Sequence, residues 1–210
     1  MPQFDGINSV PYYTSDNIFN LTQQPNRMLI IGAGPIGCEL GQAFQRLGTQ
    51  VTFMTRSGLV LPRDDRKAAD FLAKQLHEDG CEFASQSVID RLSLISNKPR
   101  VSESKNGGYQ ITSNPEILVN YSQGSAQKEL VVDAVLFCTG RTPNVENMGL
   151  KEAGVEYDPE DGIIVSDQYQ TANKDIFAVG DCIAARFSNK KKDCQMYPGK
   201  GPSFTHNSDV

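Results

Sequence analysis

The sequence predicts an α/β fold: a parallel sheet with its helices, an antiparallel β-meander inserted into it, and an incomplete segment behind. Three observations carry this. The apolar run "RMLII" passes through a glycine-rich turn into apolar residues at helical spacing. A second strand and helix follow at once. Beyond Gly80 the period shortens to alternation, broken by Asn-Gly, Asn-Pro and Gly-Ser pairs, before a last apolar run.

Residues 1–26 form a leading segment broken by Pro11 and Pro25, in which "TSDNIFNL" reads as one short helix behind a Ser or Thr cap. "RMLII" is a strand ending at Gly32. From Pro35 to Leu47, the residues Ile36, Leu40, Ala43, Phe44 and Leu47 recur with helical period. Pro35 suits the first turn, where a missing N–H costs nothing, and Gly48 supplies the stop. "QVTFMT" is the second strand. Asp64 or Asp65 caps a helix running to about Asp79, with Ala68, Phe71, Leu72 and Leu76 as its buried stripe. "SVIDRLSLI", "YQITS" and "EILVNYS" form the meander, and "ELVVDAVLFCTG" leads into a return strand, Ala134 to Cys138. After "TGRTPN" come a short helical piece and the strands "GIIVSD" and "DIFAV". From Ser188 the text turns polar and rich in Lys, Gly and Pro.

Composition narrows the function. The 210 residues, 39% of them apolar, suit one full domain or one domain plus part of another. A net charge of -5 repels phosphate backbones and argues against broad nucleic-acid binding. The run Lys190-Lys191-Lys192, with Asp193 beside it, reads as a solvated loop. No apolar run approaches the roughly 18 to 20 residues that span a bilayer. "MPQFDGINSV" lacks the basic start and apolar core of a secretion signal. Cys38, Cys81, Cys138, Cys182 and Cys194 are scattered and odd in number, which fits a reduced, intracellular setting better than a disulfide scaffold. Two histidines and no clustered ligands give no support to a metal site.

"GAGPIG" fits G-x-G-x-x-G in its required context, a strand before and a helix after, as in a Rossmann-like domain. Gly32 permits a tight turn, Gly34 lets backbone approach a pyrophosphate, and Gly37 lets the helix pack on the strand. Ala33, Pro35 and Ile36 complete the loop. The helix start then offers free N–H groups and partial positive charge to an anion. A ligand-free strand-helix turn and a methyltransferase loop remain as alternatives. The end of the second strand bears on the cofactor. An acidic residue there would bind the ribose of NAD and repel a 2′-phosphate. Here stand neutral Thr55 and Arg56, which can fork onto a phosphate, with Arg63 just beyond. NADPH is therefore favoured over NADH, the alternative for Arg56 being a solvent-facing side chain.

Four stretches together carry a family resemblance: "IGAGPIGCELGQAFQRLGTQVT", "LPRDD", "VLFCTGRTPN" and "TANKDIFAVGDC". The chain resembles the pyridine nucleotide-disulfide oxidoreductases, the flavoenzyme family of dihydrolipoamide dehydrogenase, glutathione reductase and mercuric reductase. "MTRSGLVLPRDD" leans toward the mercuric reductase-like branch, which typically uses NADPH. The resemblance implies that Gly32, Gly34 and Gly37 are the NAD(P)-loop glycines. It implies that Glu39 pairs with a lysine near the flavin and that Arg56 meets the 2′-phosphate. Val88 would make a backbone contact to the adenosine half, and Gly140 would approach the nicotinamide half. Asp181, after Gly180, would bind the ribitol of FAD; read alone, that pair is a plain turn.

The same resemblance implies a division into residues 1–26 from an FAD domain, 27–142 as the NAD(P)H-binding domain, and 143–210 as a returning, incomplete FAD-domain segment. The family's redox C-x4-C, its own FAD glycine loop and its catalytic His-Glu pair have no match here. The chain is thus expected to be an internal piece of a protein that is a homodimer when complete. In isolation it would be inactive, bind FAD weakly or not at all, and tend to associate through exposed apolar surface. No catalytic residue is assigned. His206 is expected to be structural or solvated, Cys182 lacks a redox partner at the required spacing, and Ser188 to Gly201 departs from the family pattern. Two functions follow: delivery of hydride from NADPH to flavin within such an oxidoreductase, or a redox-inactive nucleotide-binding or regulatory module.

Overall fold

The computed structural model describes residues 4–96, 100–104, 108–112, 115–140 and 142–184. The expectations for Arg141, the lysine run, Ser188 to Gly201, Cys194 and His206 lie outside them. Two compact units are present, Met1–Gly140 and Arg141–Val210.

The first unit is built on four strands: β1 (Arg27–Ile31), β2 (Gln50–Thr55), β3 (Glu82–Ser85) and β9 (Ala134–Phe137). They pair in the order β3-β2-β1-β9, all parallel. Helix α1 (Pro35–Arg46) connects β1 to β2, and α2 (Arg66–Glu78) connects β2 to β3. Between β3 and β9 lie β4 (Ser87–Ser96), β5 (Arg100–Ser104), β6 (Gly108–Thr112), β7 (Glu116–Gln123) and β8 (Ala126–Val132). They form an antiparallel sheet β4-β7-β8 and a separate hairpin β5-β6. The predicted α/β class, parallel sheet and inserted meander are all present.

Each parallel strand is apolar on both sides because both sides are covered. Met28, Ile30, Val51, Phe53, Ala134 and Leu136 face one cluster with Cys38 and Leu76 of the helices. The alternate residues Leu29, Ile31, Met54, Ala84, Val135 and Phe137 face a second cluster with Ile89, Leu92, Ile117, Val119 and Val132 of the meander. Phe4, Ile7 and Val10 join the meander side, and Ile18 and Leu21 the helix side. The leading segment also closes the outer edge of β9: Tyr13 donates to the Val135 carbonyl at 2.8 Å and accepts from the Phe137 N–H at 2.8 Å.

Polar groups fix the element ends. The buried Asp133 carboxylate takes the N–H groups of Asn26 (3.0 Å) and Arg27 (3.1 Å) and the Arg27 guanidinium (2.7 Å). That locks the start of β1 beside the start of β9. Asp79, after α2, accepts from Gln42 (2.7 Å) and Arg46 (2.9 Å) of α1 and from Gln75 (3.1 Å). Hydrogen bonds, first from Gln42, hold its carboxyl below the usual range.

Several local expectations are corrected. "TSDNIFNL" forms turns and a 3-10 turn, Ile18–Asn20, in place of one helix. The Asn17 side chain accepts from the Thr14 N–H at 2.7 Å, a local bond that competes with helical pairing. In α2 the buried residues are Ala69 and Leu76, with Leu72 and Ala73 beside them, while Ala68 and Phe71 face solvent. The inward stripe is therefore Ala69, Leu72, Ala73 and Leu76, turned by one position from the expected one. Strands β3 and β5 and the short strand Tyr157–Asp158 were not expected, and "YQITS", expected in the meander, pairs instead in the separate hairpin β5-β6.

The second unit gathers Val145, Val155, Ile163 and Ala178 into a small core, with Leu150, Tyr157 and Ile176 against it. Its strands are short: β10 (Tyr157–Asp158) and β11 (Gly162–Ile163) pair antiparallel. "DIFAV" contributes only an isolated bridge, Phe177 to Gln170, and the helical piece is a set of turns around Gly149 to Val155.

Helix α1 approaches the sheet closely at Gly41, where a Cβ would stand 2.3 Å from the Phe53 ring and 2.8 Å from Ile30 Cδ1. Gly41→Val should therefore force α1 outward and cost about 1–3 kcal/mol, read from urea unfolding. Unchanged stability would refute this packing.

Candidate nucleotide-binding site

Four parallel strands place four carboxyl ends at one edge, and ligands of open α/β sheets bind outside that edge. The loops there are Gly32–Pro35 after β1, Arg56–Asp65 after β2, Gln86 after β3, and Cys138–Gly140 after β9. Of the sequence-predicted residues, Gly32, Ala33, Gly34, Pro35, Ile36, Gly37, Thr55, Arg56, Arg63 and Gly140 share this edge. Val88 lies just past it, as the second residue of β4, opposite Ser122.

The glycine loop is made by backbone contacts. Gly32 has φ 101° and donates to the Met54 carbonyl at 2.9 Å. A Cβ on it would stand 2.6 Å from the Cys138 carbonyl oxygen, so a side chain is excluded by conformation and by contact. A Cβ on Gly37 would stand 2.4 Å from the Gly32 carbonyl. Gly37 thus lets the loop fold back on its own helix, while the close helix-on-strand approach is made one turn later by Gly41.

Gly34 is the N-cap of α1, and nothing lies within 4 Å of the place a Cβ would take. No side chain caps α1, and Pro35 occupies its first turn. Helix α2 differs: Asp65 caps it, accepting from the Ala68 N–H at 3.0 Å. The start of α1 keeps uncapped N–H groups and the positive end of the helix dipole at an open surface. That arrangement can hold a phosphate anion.

The loop after β2 is tied to the glycine loop. The Leu61 N–H donates to the Ala33 carbonyl at 2.8 Å, with Leu61 at φ 44°. The Val60 carbonyl accepts from Arg66 at 2.8 Å, and Asp70 takes the same guanidinium at 3.0 Å. Arg56 and Arg63 are exposed on this loop. Thr55 closes β2 with its side chain buried, and among the described residues its hydroxyl is the one buried side-chain polar atom without a hydrogen-bond partner. Glu39 is exposed on α1. Gly180 (φ 87°) and Asp181 belong to the second unit, exposed in a turn where the Ile183 N–H donates to the Gly180 carbonyl at 3.3 Å. Sequence reasoning did not single out Gly41, Leu61 or Arg66; only the four-residue spacing of Gly37 and Gly41, and of Arg66 and Asp70, hints at them.

Cys38 and Cys138 flank the glycine loop, and the Cys38 thiol donates to the Ala33 carbonyl at 3.5 Å. Burial pushes Cys38 up to about 12, with Cys138 and Cys81 nearby adding to the shift. Burial likewise raises Cys81 and Cys138 to about 11 each. Protonated thiols make poor nucleophiles, so these three do not form a reactive centre at neutral pH. Among the described residues no group of three His, Cys, Asp or Glu could hold a metal, and no helix is long and apolar enough to cross a membrane.

A family model for pyridine nucleotide-disulphide oxidoreductases matches residues 1–208. A mercuric reductase of Lysinibacillus sphaericus is 32% identical over 86% of this chain and 30% of its own length. A dihydrolipoyl dehydrogenase of Thermus scotoductus is 34% identical over 75% of the chain and 31% of its own length. The solved HOCl-induced flavoprotein disulfide reductase RclA from Escherichia coli is 28% identical, with a TM-score of 0.67 over 87% of this chain and 37% of that one. The chain therefore spans about a third of the length of the proteins it matches.

Two outcomes follow from the site's chemistry. The raised thiols bind protons in the folded state that they would release when unfolded. Their stabilising contribution is whole below about pH 9 and lost as the pH climbs toward 12. Urea midpoints should fall across that window in the wild type and fall less in Cys38→Ala; parallel slopes would contradict the assignment. Thr55→Val removes a hydroxyl that bonds nothing in the free chain, so its melting temperature should hold or rise, by up to about 1 kcal/mol in stability. A marked loss would mean the hydroxyl has a partner.

Proposed function

The chain belongs to the pyridine nucleotide-disulphide oxidoreductase family, and from that premise we propose that its first unit holds the pyridine nucleotide, NADPH in preference to NADH. The observation that carries the reading is the uncapped start of α1 at Gly34, open to solvent at the carboxyl edge of the parallel sheet. In this reading Gly32 to Gly37 cradle the pyrophosphate, with the N–H groups of Ile36 and Gly37 as donors. Thr55 receives the adenosine ribose, and Arg56 and Arg63 neutralise its 2′-phosphate through charge-assisted hydrogen bonds. Val88 lies toward the adenosine half and Gly140 toward the nicotinamide half.

The remaining assignments rest on family membership. Residues 27–142 are the nucleotide domain. Residues 1–26 and 143–210 belong to an FAD-binding part, in which Gly180 and Asp181 hold the ribitol; Glu39, on α1 of the nucleotide domain, pairs with a lysine near the flavin. When bound, the nicotinamide supplies a hydride that the flavin accepts. The chain's own share is to bind, orient and neutralise charge; the complete protein works as a flavin-dependent oxidoreductase and a homodimer.

Titration with NADPH and NADH, followed by nucleotide fluorescence, tests the cofactor reading. NADPH should bind about tenfold or more tightly than NADH, since a charged hydrogen bond contributes about 1.5–3 kcal/mol. Arg56→Glu should erase or invert that preference through repulsion of the 2′-phosphate. Equal affinities, untouched by the substitution, would remove NADPH from the account.

A further inference from the structure

The peptide joining Val60 to Leu61 is held from both sides. Its N–H donates to the Ala33 carbonyl in the glycine loop at 2.8 Å. Its carbonyl accepts from the Arg66 guanidinium, on the first residue of α2, at 2.8 Å. Asp70, one turn further along α2, accepts from the same guanidinium at 3.0 Å. The result is a continuous relay, Asp70 to Arg66 to the 60–61 peptide to Ala33. Hydrogen bonds in series polarise one another, so this relay is stiffer than its separate links.

The relay crosses the site just described. Loop 56–65 bears Arg56 and Arg63, and the glycine loop bears the open helix start. Val60 is buried and Leu61 is held at φ 44°, a backbone region that non-glycine residues seldom adopt, so these two bonds help to hold loop 56–65 in a conformation it would not take unaided. A trans peptide points its carbonyl and N–H in opposite directions. Fixing the Ala33 carbonyl toward Leu61 therefore also turns the Gly34 N–H away from that loop. One guanidinium thus holds the 60–61 peptide, and that peptide in turn holds the Ala33 carbonyl of the glycine loop.

We propose that Arg66, oriented by Asp70, is a positioning residue for the nucleotide: it registers the loop carrying Arg56 and Arg63 against the glycine loop, and so sets the preference for the 2′-phosphorylated dinucleotide. The proposal rests on the first unit binding NADPH. Arg66 itself is committed to Val60 and Asp70, so its part is to place the loop that carries the phosphate-binding arginines.

The test compares wild type, Arg66→Gln, Arg66→Lys and Asp70→Asn as full chains, with NADPH and NADH as probes. Arg66→Gln should weaken NADPH about tenfold and NADH by less, narrowing the preference. Asp70→Asn should do the same more mildly. Arg66→Lys, which can still donate to the Val60 carbonyl, should recover part of the loss. Hydrogen exchange on the free chain supplies a readout without ligand: the Leu61 amide should exchange about tenfold faster in Arg66→Gln, with the β1 and β2 amides unchanged. A wild type that prefers NADPH, beside an Arg66→Gln of equal affinity and preference, overturns the positioning role alone. Unchanged Leu61 exchange overturns it as well. A wild type that binds neither dinucleotide overturns the nucleotide reading and the positioning role together.

Discussion

At Gly32 and Gly37 the first turn of the parallel sheet leaves no room for side chains, and the rest of the first unit is arranged around that constraint. Gly32 sits against the Cys138 carbonyl, and Gly37 sits against the carbonyl of Gly32. Strand β9 can lie beside β1 only because Gly32 adds nothing between them. One turn on, Gly41 lets α1 lie close on the sheet, while at Gly34 the start of the helix stays open and uncapped. Fold and site thus share one short glycine-rich segment: Gly32 and Gly37 permit the close contacts, and Gly34 leaves the helix start bare.

Covering both sides of the sheet uses two different materials. Helices α1 and α2 cover one side, and the antiparallel β4-β7-β8 sheet covers the other. This leaves the carboxyl edge as the place where loops of unlike origin meet. The glycine loop, the arginine-bearing loop and the end of β9 are contributed by distant parts of the chain. What holds them in mutual register is backbone hydrogen bonding, from Gly32 to Met54, from Leu61 to Ala33 and from Cys138 to Ile31. Family membership tells which chemistry to look for, and these bonds tell how a chain with so few conspicuous side chains at the edge could support it.

Much of this was legible in the sequence because it is periodic or because glycine, proline and aspartate mark its ends. β1, β2, α1 and α2 follow from apolar spacing and from Gly48, Asp65 and Gly80. β3 escaped notice because "CEFAS" is four strand residues between turns, too short for alternation to stand out. The stripe of α2 was misplaced by one residue because the inward alanines carry little hydrophobic signal of their own. Phe71, the most apolar residue of that helix, faces solvent. "DIFAV" looked like a strand from composition alone, but pairing needs a neighbour, and Phe177 finds one only at Gln170. At the site, the glycines and arginines were readable as types. The tie from Arg66 to the Val60 carbonyl was not, because it joins a side chain to a backbone atom, and backbone atoms have no letter in a sequence.

Strand β9 has a consequence for how the chain comes into being. It pairs with β1 across more than a hundred intervening residues, and its far side is closed by Tyr13, which comes earlier still. During synthesis, β1 and its helices leave the ribosome long before the strand that completes the sheet exists. Until then β1 presents an unpaired margin that is apolar from Met28 to Ile31, the kind of edge on which nascent chains stick to one another. The meander must be finished before that margin closes, so maturation is paced by the most remote contact in the unit.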